Sequence, residues 1–195
     1  MNIGRPREFD PETVLDAAIH VFWTKGYEAT SLQDLLAAMR LSKSSFYQTF
    51  GGKLQLFERC IVPYRRMVAG SLLECLNNAT SAQQFLADTF SAVAEEACSD
   101  KKPCGCLVMN TASEFAQRDP LVAEWVTQGA DSFRTVFKTA VLRAQKEGDI
   151  AGDRDAEVLA NYLVSSMGGL KTLVKAGATQ QTVEDIAGVI MASLG

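Results

Sequence analysis

Apolar residues recur along this chain at helical spacing. Val14, Ala17, Ala18, Val21 and Phe22 stand at i, i+3, i+4, i+7 and i+8, one stripe of a helix. Asp10-Pro11 before the stripe reads as a side-chain cap and a first-turn proline, and Gly26 after it as a left-handed stop. Thr30 with Gln33, or Ser31 with Asp34, spells a capping box for a second helix striped by Leu32, Leu35, Leu36 and Met39. Ser42 caps a third short helix that sets Phe46 and Phe50 on one face.

The elements lengthen after Lys53. Residues 54–76 read as one long helix, and Pro63 inside it predicts a bend because proline withholds a backbone donor. Ser81 opens a helix to Ala97, residues 101–106 form a break, and residues 107–117 form a short helix. Asp119-Pro120 opens a further helix that Gly148 closes. Residues 155–176 make the next, stopped by Gly177, and Thr179 or Thr182 starts a last one reaching Leu194. No stretch alternates cleanly between apolar and polar residues, so strands have little support. The pattern predicts an all-α chain of about nine helices: a three-helix unit over residues 1–52 and a larger bundle over 53–195.

With 195 residues, 47% of them hydrophobic, the chain has ample core. Its formal charge is −4, unevenly spread. Residues 1–66 carry nine Lys/Arg against seven Asp/Glu, the remainder ten against sixteen. A basic head on an acidic body points to an anionic partner for the head alone. The uncharged run at residues 158–170, which no other run exceeds, falls short of the roughly 20 apolar residues a bilayer span needs. Glu8, Asp10 and Glu12 stand where a secretion leader needs an apolar core, so a cytoplasmic location without membrane contact is expected. Five cysteines form no regular framework, which fits reduced thiols. His20 is the single histidine, which argues against a His-rich metal site and a Ser-His-Asp hydrolase. No metal, cofactor or catalytic residue is expected.

The informative segment is 27–53. A buried first helix, a turn at Arg40-Leu41 and a second helix with Phe46 and Phe50 inward have the physics of a helix-turn-helix. Lys43 and Tyr47, and Ser44 and Gln48, then share an outward face suited to a major groove. The helix N-termini at Thr30/Ser31 and at Ser42 offer unpaired N–H groups that favour phosphate. Gly26-Tyr27, Ala29-Thr30-Ser31, Ala37-Ala38 and the run from Ser42 to Lys53, followed by Leu56-Phe57, carry a more specific likeness. On these residues, the segment 9–57 resembles the DNA-binding domain of the TetR family of bacterial transcriptional repressors.

The resemblance implies phosphate contacts by Ser45, Tyr47 and Lys53. It implies backbone contacts by Thr30, Ser31 and Gln33, and base-edge contacts by Lys43, Ser44 and Gln48. Two positions depart from the family pattern. Arg40 occupies a turn position often held by glycine; it is either left-handed, at a cost on the order of 1 kcal/mol, or in a reshaped turn that brings it to a phosphate. Thr49 replaces a common histidine and offers a shorter contact. Gly4-Arg5-Pro6-Arg7 is similar to the basic arms that some family members lay in the minor groove, giving Arg5 and Arg7 as contacts.

For the larger bundle the resemblance implies a small-molecule effector, a homodimer through the last two helices, and a pseudo-palindromic double-stranded operator. Leu159, Leu163, Met167, Leu170 and Val174, with Gly168-Gly169 for close approach, are read as one half of the dimer seam. Val183, Ile186, Ile190 and Leu194 are read as the other; the alternative is intramolecular core. Candidate effector residues are Tyr64, Met67, Phe90, Met109, Phe115, Trp125, Phe133 and Tyr162, with Asn110 and Glu114 to orient a polar group. The acidic body fits a neutral or cationic effector. Cys104-Gly105-Cys106 follows Lys101 and Lys102 and precedes a helix, a setting that lowers thiol pKa. Cys106 resembles the cysteine of electrophile- and oxidant-sensing repressors in the family, with Cys98 and Cys104 as resolving partners. Plain thiols, a thiol sensor and a metal site stay open here. So do the rival functions, a thiol-handling all-α enzyme and a helix-turn-helix activator or degenerate interaction module.

Overall fold

A computed structural model describes residues 11–100 and 102–195. Among these there are nine helices and no strand. They are α1 (Pro11–Lys25), α2 (Leu32–Met39), α3 (Lys43–Phe50), α4 (Lys53–Asn78), α5 (Ala82–Cys98), α6 (Leu107–Glu114), α7 (Pro120–Glu147), α8 (Ala156–Lys175) and α9 (Gln180–Ala192). The Asp10 cap, the Arg5 and Arg7 arm and Lys101 lie outside the described residues.

The expected caps operate. Ser31 rather than Thr30 caps α2, Ser42 caps α3, Ser81 caps α5, Asp119 caps α7 and Thr179 caps α9. Gly148, with φ 89°, closes α7 in the left-handed region that glycine enters at least cost. Helix α4 continues through Pro63 for 26 residues. Helix α6 stops at Glu114, three residues earlier than the sequence predicts. There Phe115 and Ala116 both donate to the Thr111 carbonyl, and the chain turns away.

Two apolar clusters organise the chain. One gathers Phe22 of α1, Leu35 of α2, Phe46 of α3, Phe57 and Ile61 of α4, and Val108 of α6. The other gathers the end of α4 with α5, the end of α7, α8 and α9. Helices α4 and α7 contribute to both. At roughly 25 cal/mol per Å², burying one such Phe or Leu stabilises by about 2 kcal/mol. This ties α3 firmly to α4.

The residues assigned to a dimer seam need correction. Leu159, Leu163, Leu170 and Val174 of α8, and Val183, Ile190 and Leu194, are buried within the single chain. Ile186 packs against the same core, while Met167 lines a cavity. Gly168 lets α6 approach, with Met109 Cγ 3.3 Å from where its Cβ would sit. Helix α8 has a second stripe at 158, 162, 165, 169 and 173, which leaves Val158, Tyr162 and Leu173 exposed; Val189 of α9 is 68% exposed.

Candidate nucleic-acid interface and adjoining cavity

The α2–α3 unit is held by local hydrogen bonds that follow from its sequence. Ser31 Oγ accepts from Asp34 N at 3.1 Å, and Asp34 Oδ2 accepts from Ser31 N at 2.9 Å. Lys25 Nζ sits 2.6 Å from Asp34. The hydrogen bond from Lys25, joined by those from Ser31, holds the Asp34 carboxyl well below the usual carboxylate range. Arg40 occupies the left-handed region at φ 53°, ψ 40°, so the turn keeps the glycine-like geometry with an arginine in it. Ser42 Oγ accepts from Ser45 N at 3.1 Å and lies 2.9 Å from Ser45 Oγ.

Helix α3 is divided between its faces. Phe46 and Phe50 are buried, and Arg59 of α4 lies over the Phe50 ring at 5.5 Å. Lys43, Ser44, Tyr47 and Gln48 are exposed, Tyr47 by 47%. Tyr47 rests edge-on against Phe46 at 5.4 Å, so packing fixes its ring while its surface stays open. Ser45 and Thr49 are half-buried at the margin. Gln33 and Arg40 are exposed on α2 and its turn.

Lys53, in the first turn of α4, lies 4.4 Å from the Tyr27 ring centre and donates to the Glu28 carbonyl at 3.4 Å. Burial pulls its pKa down, opposed by Glu28 and Glu114. Thr30 leaves the set of contact candidates. It is 1% exposed, and its hydroxyl donates to the Gly26 carbonyl at 2.5 Å, closing the α1–α2 turn.

A cavity of about 590 Å³ opens between α1, α4, α5, α6, α7 and α8. Trp23, Tyr64, Val68, Leu72, Phe85, Val93, Met109, Phe133, Phe137, Val164 and Met167 make a largely apolar wall. Its two charged residues, Asp88 and Lys171, already have partners. Asp88 accepts from Gln84 at 2.6 Å, and Lys171 pairs with Glu96. Trp23 Nε1 donates to Gly105 O at 2.8 Å, and Tyr64 Oη accepts from Leu107 N at 3.3 Å. Burial, with Cys106 beside it, pushes the Tyr64 hydroxyl far above its ordinary pKa.

Of the predicted effector residues, Tyr64, Met109 and Phe133 line this cavity, as does Cys106. The others are elsewhere. Met67 faces outward, 60% exposed. Phe90 is buried in core against Phe137, and Trp125 packs beside Phe57. Phe115 stacks on Tyr27. Tyr162 is exposed and meets Ser193 at the end of α9. Asn110 is spent on the Cys104 carbonyl at 2.8 Å, and Glu114 on the α1–α2 turn. Cys104 donates to Lys102 O at 3.5 Å, outside the cavity wall. Cys60, which burial pushes up to about 12, is an inert core thiol. Among the described residues, no group of three or more His, Cys, Asp or Glu is arranged to hold a metal.

Sequence reasoning missed Trp23, Phe85 and Met167. Trp23 carried a signal: it falls off the Val14–Phe22 stripe, and so large a ring needs a second surface to bury against.

Known proteins share this arrangement. The profile "Bacterial regulatory proteins, tetR family" matches residues 14–60, and "Tetracyclin repressor-like, C-terminal domain" matches residues 83–189. The HTH-type transcriptional regulator YezE of Bacillus subtilis (strain 168) is 31% identical over 193 residues, 98% of this chain and 100% of that protein. The HTH-type transcriptional repressor ComR of Escherichia coli (strain K12) is 29% identical over 189 residues, 96% of this chain and 90% of ComR. A cysteine mutant of the TetR family regulator CifR, solved with 26-bp double-strand operator DNA, is 28% identical. It superposes with a TM-score of 0.86, covering 98% of this chain and 100% of CifR.

Proposed function

Because the chain belongs to the TetR family of bacterial transcriptional regulators, we propose that it is a homodimeric repressor released from its operator by a small neutral or cationic effector. It is a DNA-binding regulator by family, and its place of work is the cytoplasm, where the DNA is. Residues 1–52 serve as the DNA-binding unit and residues 53–195 as the sensing and dimerising unit. The protein acts by binding, without turnover.

One observation carries this reading: Lys43, Ser44, Tyr47 and Gln48 project from a helix whose other face is anchored by Phe46 and Phe50. A short, well-anchored polar helix fits a major groove, with Lys43, Ser44 and Gln48 on base edges. Ser31, Gln33, Arg40, Ser42, Ser45, Tyr47, Thr49 and Lys53 surround it as backbone contacts. The repressor ComR and the operator-bound CifR support the same use. The exposed α8 stripe of Val158, Tyr162 and Leu173, with Val189 of α9, is the dimer face. A two-fold pair then reads half-sites about 34–36 Å apart on a pseudo-palindromic duplex.

The effector occupies the cavity. Lys171 is already paired with Glu96, so an anionic ligand would have to break an ion pair, whereas Asp88 is held by the neutral Gln84 amide and stays open to a cationic group. A neutral or cationic, mainly apolar or aromatic molecule suits the wall. It shifts the population toward a conformer whose recognition helices are wrongly spaced.

The test is selection from a random duplex library with the purified chain, followed by release with a panel of neutral and charged aromatic compounds. Enrichment of a two-fold symmetric site, released by neutral or cationic compounds and not by anionic ones, is expected. Failure to enrich any duplex contradicts the repressor reading.

A second reading has its own observation: Cys106 lines the same cavity, beside the Tyr64 hydroxyl. The Cys106 thiol would add across a C=C or C=O bond of an electrophilic effector: the C–S bond forms as the π bond breaks, and the thiol proton ends on the adduct. Release by quinone or methylglyoxal that disappears in Cys106→Ser favours this route; equal release in both proteins removes it.

A further inference from the structure

Glu114 is the last residue of α6, and its carboxylate is committed to the α1–α2 turn. Oε2 accepts from Tyr27 N at 2.9 Å and Oε1 from Glu28 N at 2.7 Å. Such charge-assisted pairs are about twice as strong as neutral ones. Gly26 makes the approach possible: its φ is 86°, and a Cβ there would lie 2.7 Å from Glu114 Oε2. Next to the clamp, the Tyr27 and Phe115 rings stack at 4.7 Å and 14°.

The far end of α6 belongs to the cavity. Cys106, its N-cap, and Met109 both line the wall. Helix α6 is thus an eight-residue strut, about 12 Å long at 1.5 Å per residue, from the cavity to the turn that starts α2. The three short helices are also joined to the bundle by the continuous helix α4. A unit tied to one helix retains a swing about it. Off-axis attachments remove that swing: the Glu114 clamp is the one that grips the backbone of the turn leading into α2, beside the Trp23–Gly105 hydrogen bond and the exposed Arg118–Glu28 ion pair.

We propose that Glu114 is a positioning residue that sets the orientation of the DNA-binding unit, and with it the separation of the two recognition helices in the dimer. The proposal rests on the DNA-binding reading given above. Glu114 touches neither DNA nor effector; it decides which half-site spacing the dimer accepts.

The test selects duplexes in which half-sites are separated by spacers of varied length. Wild type should favour one spacer by about tenfold over spacers two base pairs longer or shorter. Glu114→Ala should keep the same half-site bases yet bind those spacers within about threefold of one another. Glu114→Gln, nearly isosteric, retains one acceptor and should fall between. A variant that is merely less stable would weaken on all spacers alike, so the spacer ratio separates positioning from folding. If Glu114→Ala fails to fold, the Glu114→Gln ratio decides. A wild-type ratio in a folded, dimeric variant overturns the proposal. A wild type that enriches no symmetric duplex overturns the DNA-binding reading, and the proposal with it.

Discussion

The Lys53 ammonium lies 4.4 Å from the centre of the Tyr27 ring and reaches the Glu28 carbonyl at 3.4 Å. The start of α4 is thereby fastened to the α1–α2 turn by a cation held over an aromatic face. Lys53→Ala should weaken binding to all duplexes and reduce the slope of log K against log salt by about 1, the loss of one phosphate contact. Burial holds the Lys53 pKa below its ordinary value, and only the protonated amine attracts phosphate. Affinity should therefore fall as pH rises towards that lowered pKa, and Lys53→Arg should remove this dependence. Fluorescence anisotropy across pH and salt measures both effects.

Arg40 at φ 53° is the one non-glycine residue with positive φ among those described. Arg40→Gly should stabilise the fold by up to about 1 kcal/mol, since glycine enters the left-handed region with less strain. On the proposed role of Arg40 as a backbone contact, operator affinity should drop at the same time, because its exposed cation is lost. Thermal melts and binding titrations on the same preparation reveal whether strain has been kept for contact.

Asp34 makes the stability of the helix-turn-helix depend on acid. Its hydrogen bonds to Lys25 and Ser31 hold the folded-state pKa well below the unfolded value. The stability it contributes is therefore full above about pH 4 and is lost as pH falls through the folded pKa. Asp34→Asn should lower Tm at pH 7, and the gap to wild type should close as pH falls from about 4 towards 2. A gap that is constant over that range contradicts the assignment.

The dimer face is tested by Val189→Glu, which places a charge on a residue that is 68% exposed in the single chain. Sedimentation should show a monomer with unchanged helix content. Affinity for the symmetric operator should fall by at least about tenfold while half-site preference survives.

Much of this was legible in the sequence, for identifiable reasons. Ser42, Asp119-Pro120 and Gly148 act through local backbone chemistry, so they mark the same helix ends in sequence and structure. The outward face of α3 follows from the spacing of Phe46 and Phe50 alone. The α8 and α9 stripes misled because periodicity says that a face is buried, not what buries it; Leu163 and Val183 pack inside their own chain. The cavity was read only in part, since Trp23, Phe85 and Met167 come to one wall through tertiary packing alone. Glu114 looked like an effector residue because its partners, the Tyr27 and Glu28 amides, have no side-chain signature.

Operator recognition requires the exposed face of α3 to meet a duplex. The most direct measurement is the affinity for a selected operator across a salt series, for wild type and for the Lys43→Ala/Tyr47→Ala double variant. Wild type should bind with log K falling steeply and linearly against log salt. The double variant, with both side chains exposed and the helix anchored by Phe46 and Phe50, should remain folded and bind at least about tenfold more weakly. Salt-insensitive binding, or an unchanged affinity in the folded double variant, would contradict the account.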